Sequence, residues 1–125
     1  MKLRWLALFI LVPLAGCSKI HEQRSFTVEP GGSHSLQITA PLSEQKLQIV
    51  LTSDQPVNIW VVLEKNIPEG KDEFDPETLK EGVVAKEKAK TEATLTATIP
   101  AKEKFRVYID GVKKKASVTV KIDSQ

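Results

Sequence analysis

From residue 25 onward apolar and polar residues alternate one for one, and this period of two constrains the fold more than anything else in the chain. Successive side chains of a strand point to opposite faces, so alternation marks a strand with one face buried. "SFTV" places Phe26 and Val28 together, and "SLQITA" places Leu36, Ile38 and Ala40. "KLQIVLT" aligns Leu47, Ile49 and Leu51, and "VNIWVVLE" aligns Val57, Ile59, Val61 and Leu63. Later, "ATLTATI" sets Ala93, Leu95, Ala97 and Ile99 against three threonines. "KFRVYID" gives Phe105, Val107 and Ile109, and "ASVTVKI" gives Ala116, Val118, Val120 and Ile122. These residues are the expected core.

The breaks between the runs are turn formers: "PGGS" at 30–33, "PLSE" at 41–44, "SDQP" at 53–56, "PAKE" at 100–103 and "DGVK" at 110–113. Their spacing is that of an antiparallel sandwich or barrel. The expectation is an all-β, jelly-roll-like sandwich of seven or eight antiparallel strands.

Residues 65–92 interrupt the pattern. "KNIPEGKDEFDPE" is rich in charge, Pro and Gly and reads as a surface loop. "PETLKEGVVAKEKAK" (76–90) suits either a short helix beginning at Pro76 or a strand using Val83, Ala85 and Ala89. The reading favoured is a turn near Pro76 followed by an edge strand, with Lys86, Lys88 and Lys90 on one face guarding the edge.

With eight strands, "VEPGGSHSLQI", "KLQIVLTSDQPVNIWVVLEK" and "TIPAKEKFRVYIDGVKKKASVTVKI" together resemble the pre-peptidase C-terminal domain type of secreted bacterial proteins. The resemblance implies a small jelly-roll-like β-sandwich over most of residues 25–123. It rests on pattern, and "IPAKEKFRVYIDG" stands where that family has a Gly-Thr-Tyr-like turn.

The N-terminus has the layout of an export signal. Lys2 and Arg4 precede an apolar run from Trp5 to Leu14, broken by Pro13. That run is about half the ~20 residues a membrane-spanning helix requires. It ends in Leu14-Ala15-Gly16-Cys17, which resembles the lipobox of bacterial lipoproteins. The resemblance implies cleavage between Gly16 and Cys17, a diacylglycerol on the Cys17 sulfur and an acylated amino terminus. Two or more acyl chains hold a protein firmly on a membrane, where one does so only marginally. The other reading of Cys17 is a free cysteine in a secretory chain. Lipidation leaves no thiol for a disulfide, since Cys17 is the one cysteine of the chain. The expected organisation is a signal peptide over 1–16, a lipidated cysteine and short tether over 17–24, and one sandwich over 25–125. By the enterobacterial pattern Ser18, in place of Asp, points to the outer membrane facing the periplasm, over the inner membrane.

Charge narrows the partners. The chain has 18 basic and 16 acidic residues; without Lys2 and Arg4 the two balance. Nucleic-acid binding needs a concentrated basic surface. "KKK" at 113–115 is the only basic run and sits in a turn, so nucleic acid is not an expected partner.

An enzyme is not expected either. The two histidines, His21 and His34, lie in the tether and beside a turn. Ser33 and Ser35 flank His34 but project to the opposite face of a strand, so the histidine cannot act as their base. Asp72, Glu73, Asp75 and Glu77 crowd "KDEFDPE" without the spacing of a calcium loop, and Lys71 and Lys80 offset them. No cofactor and no metal site is expected.

One cluster remains. Trp60 and Val62 are out of phase with the core positions of their strand, and Arg106 and Tyr108 with those of theirs. In jelly-roll order the fourth and seventh strands are neighbours, so these four residues would share an outer face. Two aromatic rings beside an arginine suit a binding surface for a polysaccharide or a protein. Two other readings stand beside it: a cross-strand pair that stabilises the sheet, or a satellite core closed by Phe74 and Leu79 from the long loop. The overall expectation is a lipid-anchored envelope protein presenting a non-catalytic binding module; the alternative is a structural or assembly subunit of an envelope complex.

Overall fold

A computed structural model describes residues 19–68, 76–79 and 81–125. Six antiparallel strands account for most of them: β1 (His21–Val28), β2 (Ser33–Ile38), β3 (Gln45–Leu63), β4 (Val83–Ile99), β5 (Phe105–Gly111) and β6 (Ala116–Ser124). Cys17, Gly16 and the rest of the expected signal peptide lie outside the described residues.

Two of the strands are long because they turn a corner without ending. β3 pairs with β6 through residues 47–53 and with β5 through residues 57–63. β4 follows β3 around the same corner. Counting each half of β3 and β4 separately gives eight segments. The first, eighth, third and sixth form one layer, and the second, seventh, fourth and fifth form the other. This is the jelly-roll order expected from the sequence, reached with six continuous strands.

The corner of β3 falls on "SDQP", and its polar groups are satisfied locally. Ser53 Oγ donates to the Gln55 carbonyl at 2.6 Å, and Asp54 Oδ1 accepts from the Ser117 backbone N–H at 2.8 Å. β4 turns at a bulge. Ala89 takes φ = 54°, and its N–H donates to Asn58 Oδ1 at 2.8 Å. The extra residue changes the phase of β4, so Lys90 falls opposite the core-facing Val57 while Lys86 is opposite Trp60. All three lysines are exposed on an edge strand, but Lys90 does not share the face of Lys86.

Between the layers lies one core, including Leu47, Ile49, Leu51, Ile59, Val61, Leu95, Ile99, Phe105, Val107, Ile109, Val118, Val120 and Ile122. At the open side, the Phe26 ring of β1 stacks on His34 of β2 with centroids 4.0 Å apart. The domain also starts earlier than expected. His21–Arg24 are not tether but the first half of β1, paired with β6 from His21 onward. Ile20 packs on the core and its N–H donates to Ser124 Oγ at 2.7 Å.

Both chain ends of the described domain, the 39–44 and 100–104 connections and the end of β3 gather at one pole. The β1–β2 turn, the two corners and the β5–β6 turn form the other.

Candidate functional site

The four candidate residues come together as their phase requires. Trp60 of β3 lies opposite Tyr108 of β5, and Val62 lies opposite Arg106. Both rows extend across the layer, to Ser35 and Lys86 in one and to Gln37 and Val83 in the other.

The face is not open. Trp60, Val62 and Tyr108 are 2%, 0% and 5% exposed, so the expected accessible patch is overturned. Ile67, Leu79 and Val83 pack on them and form a second apolar cluster outside the main core. The physical reason is visible along β3, where five consecutive residues from Ile59 to Leu63 are buried. A strand with only one covered face would alternate there; this one is covered on both. Leu79 takes the covering position foreseen in the satellite-core reading, while Phe74 lies outside the described residues.

Arg106 forms the rim. Its Nη2 donates to Glu64 Oε1 at 2.9 Å, and Gln37 Nε2 donates to the same oxygen at 3.2 Å. Arg106 and Glu64 are each one-quarter exposed. Burial works to lower the Arg106 pKa, but its bonds and charge interactions with Glu64 and Tyr108 outweigh this and hold it above the ordinary arginine value. Burial raises the Tyr108 hydroxyl above the usual tyrosine value, and Arg106 pulls it partly back. The assembly clamps the end of β3 and the covering segment. Glu64 opens the short 3-10 turn Glu64–Asn66, and its backbone N–H donates to the Lys104 carbonyl at 2.9 Å.

A shallow groove of about 310 Å³ runs along the margin of this cluster, between Trp60, Leu79 and the Val83–Lys86 stretch. A second, of about 330 Å³, lies at the pole opposite His21, lined by Gln55, Pro56, Ala89, Val112, Lys113 and Lys114. The lysine run reads in the sequence as a turn with no role, and a cavity between a strand corner, a bulge and a hairpin leaves no local pattern by which to find it.

Among the described residues no group of three or more His, Cys, Asp or Glu could hold a metal ion. Asp72, Glu73 and Asp75 lie outside the described residues, and Glu77 forms an ion pair with Lys88. His21 Nδ1 is 3.0 Å from Asp123 Oδ1 on the surface, and His34 is occupied by the Phe26 ring.

No family model matches the chain, and no curated protein matches it by sequence. Solved structures do share its architecture. The Yersinia pseudotuberculosis-derived mitogen superposes with a TM-score of 0.58 at 8% identity, covering 85% of this chain and 86% of the mitogen. A periplasmic inhibitor of g-type lysozyme from Aeromonas hydrophila gives 0.49 at 10% identity, covering 86% of each chain. A mutant of the Escherichia coli inhibitor of g-type lysozyme gives 0.45 at 12% identity, with 84% of this chain and 87% of that one covered. The mitogen likeness shows a shared all-β fold; at this identity it carries nothing of function.

Proposed function

We propose that this protein is a lipid-anchored envelope protein whose sandwich serves as a non-catalytic binding module held close against a membrane. Cys17 carries the anchor, after cleavage behind Gly16, and Ser18 directs the protein to the outer membrane facing the periplasm. The observation that carries the reading is the position of the first strand. Ile20 is already tied to Ser124 and the core, so only Ser18 and Lys19 separate Cys17 from folded structure. The lipobox therefore abuts the domain directly.

A protein ligand fits better than a polysaccharide. The aromatic rings on which sugar rings would stack are covered, and the groove at the pole opposite His21 offers apolar walls beside Lys113 and Lys114.

The anchor is tested by mass spectrometry of the protein isolated from membranes. The expected product begins at Cys17 with a diacylglycerol and an amide-linked acyl chain, and Cys17→Ser leaves the membrane fraction. A mature chain with a free Cys17 thiol would overturn the proposal. The ligand is tested by photo-cross-linking in cells from a reactive residue at position 112. Adducts with one envelope protein that vanish when Lys113 and Lys114 become Glu support it; adducts indifferent to that reversal count against it.

A further inference from the structure

The pole where the chain enters the sandwich carries an apolar residue that the fold does not use. Leu42 is 72% exposed, the most exposed large apolar side chain among the described residues. It sits at the mouth of a cavity of about 210 Å³, lined also by Lys19, Ile20, His21 and Pro41. Leu42 is thus beside the point from which the tether leaves. Its backbone is fixed: the neighbouring Pro41 is buried, and its carbonyl accepts from the Lys102 N–H at 2.7 Å.

The charges around Leu42 are mostly positive. Lys19, Lys46 and Lys102 are exposed and form no ion pair among the described residues. Glu44 is the acidic residue beside them. Of the other described acids at this pole, Glu22 pairs with Arg24, Glu64 with Arg106, Glu103 with Lys65, and Asp123 with His21 and Lys121, while Glu81, beside the end of β3, forms no ion pair among the described residues.

We infer that this pole is a membrane-contacting surface, in which Leu42 enters the headgroup region of an anionic phospholipid bilayer and Lys19, Lys46 and Lys102 meet the phosphates. The inference rests on Cys17 being the lipid anchor. From Cys17 to Ile20 the chain spans at most ~11 Å when fully extended. A domain held that closely must present the pole bearing Ile20 to the lipid, and an exposed leucine on a pole that also carries Lys19, Lys46 and Lys102 suits a bilayer interface. The 112–115 hairpin, which bears Val112, the other exposed large apolar residue among the described residues, is then held away from the lipid.

The experiment uses full-length protein purified from membranes and reconstituted into phosphatidylethanolamine–phosphatidylglycerol vesicles. Leu42→Cys and Val112→Cys are each labelled with an environment-sensitive fluorophore. Protein without either substitution is treated in parallel, and its failure to label shows that the Cys17 sulfur is blocked. Labelling there would mean that the anchor reading has failed, separately from this one. With Cys17 blocked, the expected result is blue-shifted emission at position 42, quenched by nitroxide-bearing lipid and protected from aqueous iodide, with the reverse at position 112. The shift at 42 should shrink in phosphatidylcholine vesicles and in the Lys19→Glu, Lys46→Glu variant. Equal iodide quenching at 42 and 112 would overturn the proposal. A shift at 42 that ignores both lipid charge and the lysine reversals would overturn the role of the lysines.

Discussion

Trp60 and Tyr108 face each other across β3 and β5 on the side of the sheet turned away from the core, and both are nearly inaccessible. With Val62 they make this outer face a second core, sealed by Ile67, Leu79 and Val83. In the full chain Trp5 is the only other tryptophan, so a Trp5→Phe variant reports Trp60 alone. Its emission should be that of a buried indole and should resist acrylamide. Trp60→Ala should lower stability by about 3–5 kcal/mol in denaturant titrations. Ready quenching, or a cost near zero, would mean that the cover is not in place in solution.

Tyr108 is the one tyrosine in the chain, so phenolate absorbance follows it directly. Its folded-state pKa is raised, mainly by burial. Below the ordinary tyrosine value both folded and unfolded states keep the proton, and the contribution is fully present. As pH rises past that value the unfolded chain ionises first, and stability falls until the folded hydroxyl also titrates. The native protein should therefore form phenolate at higher pH than the denatured protein. Stability should fall less steeply with alkaline pH in Tyr108→Phe. Titration of native Tyr108 at or below the ordinary value would contradict the burial.

The Arg106–Glu64 bond closes the rim of the same cluster. Both side chains keep some contact with water, so the coupling is expected to be modest, about 0.5–1 kcal/mol in a double-mutant cycle of Arg106→Ala and Glu64→Ala. Most of it should survive moderate salt, because partly buried pairs are screened less than exposed ones. A coupling of zero would leave Arg106 no part in holding the covering segment.

How far these relationships can be read from the sequence depends on whether they are local. Strand phase is local, and Leu47, Ile49, Leu51, Leu95, Phe105 and Val107 fall in the core as their alternation requires. The pairing of the fourth and seventh segments followed from jelly-roll order, which brought Trp60 and Tyr108 to one face. Exposure of that face is not local, because it depends on where residues 67 and 79 return. The sequence did hold a hint in "IWVVL", an unbroken apolar run where a strand with one wet face would alternate. The extension of β1 back to His21 was hidden because "HEQR" is polar on both faces, and only its pairing with β6 reveals it. The bulge at Ala89 has no glycine to mark it.

Gly111 closes the contact between the β1–β2 turn and the end of β5. Its N–H donates to the Gly32 carbonyl at 2.9 Å, and its carbonyl accepts from Gly31 at 3.3 Å. A Cβ at this position would collide with the Glu29 backbone carbonyl. Backbone cannot rotate aside as a side chain can, so Gly111→Ala should cost about 1–3 kcal/mol. The loss should appear as a lower urea midpoint with an unchanged slope, since the native fold is retained. A neutral substitution would show that the turn moves freely against β5.

Among the described residues, the outer edge of the 17-residue β4 has no partner strand, a length that invites pairing between molecules. Two devices oppose it: the lysines, and the bulge at Ala89 that bends the strand between Lys86 and Lys90. They can be separated. If charge guards the edge, Lys86→Val with Lys90→Val should drive association, seen as growth in sedimentation coefficient with protein concentration. The double substitution Lys86→Glu with Lys90→Glu should instead remain monomeric, because charge of either sign repels a second copy. If the valine variant also stays monomeric at every concentration, Lys86 and Lys90 are not needed to guard the edge, and the bulge with Lys88 suffices.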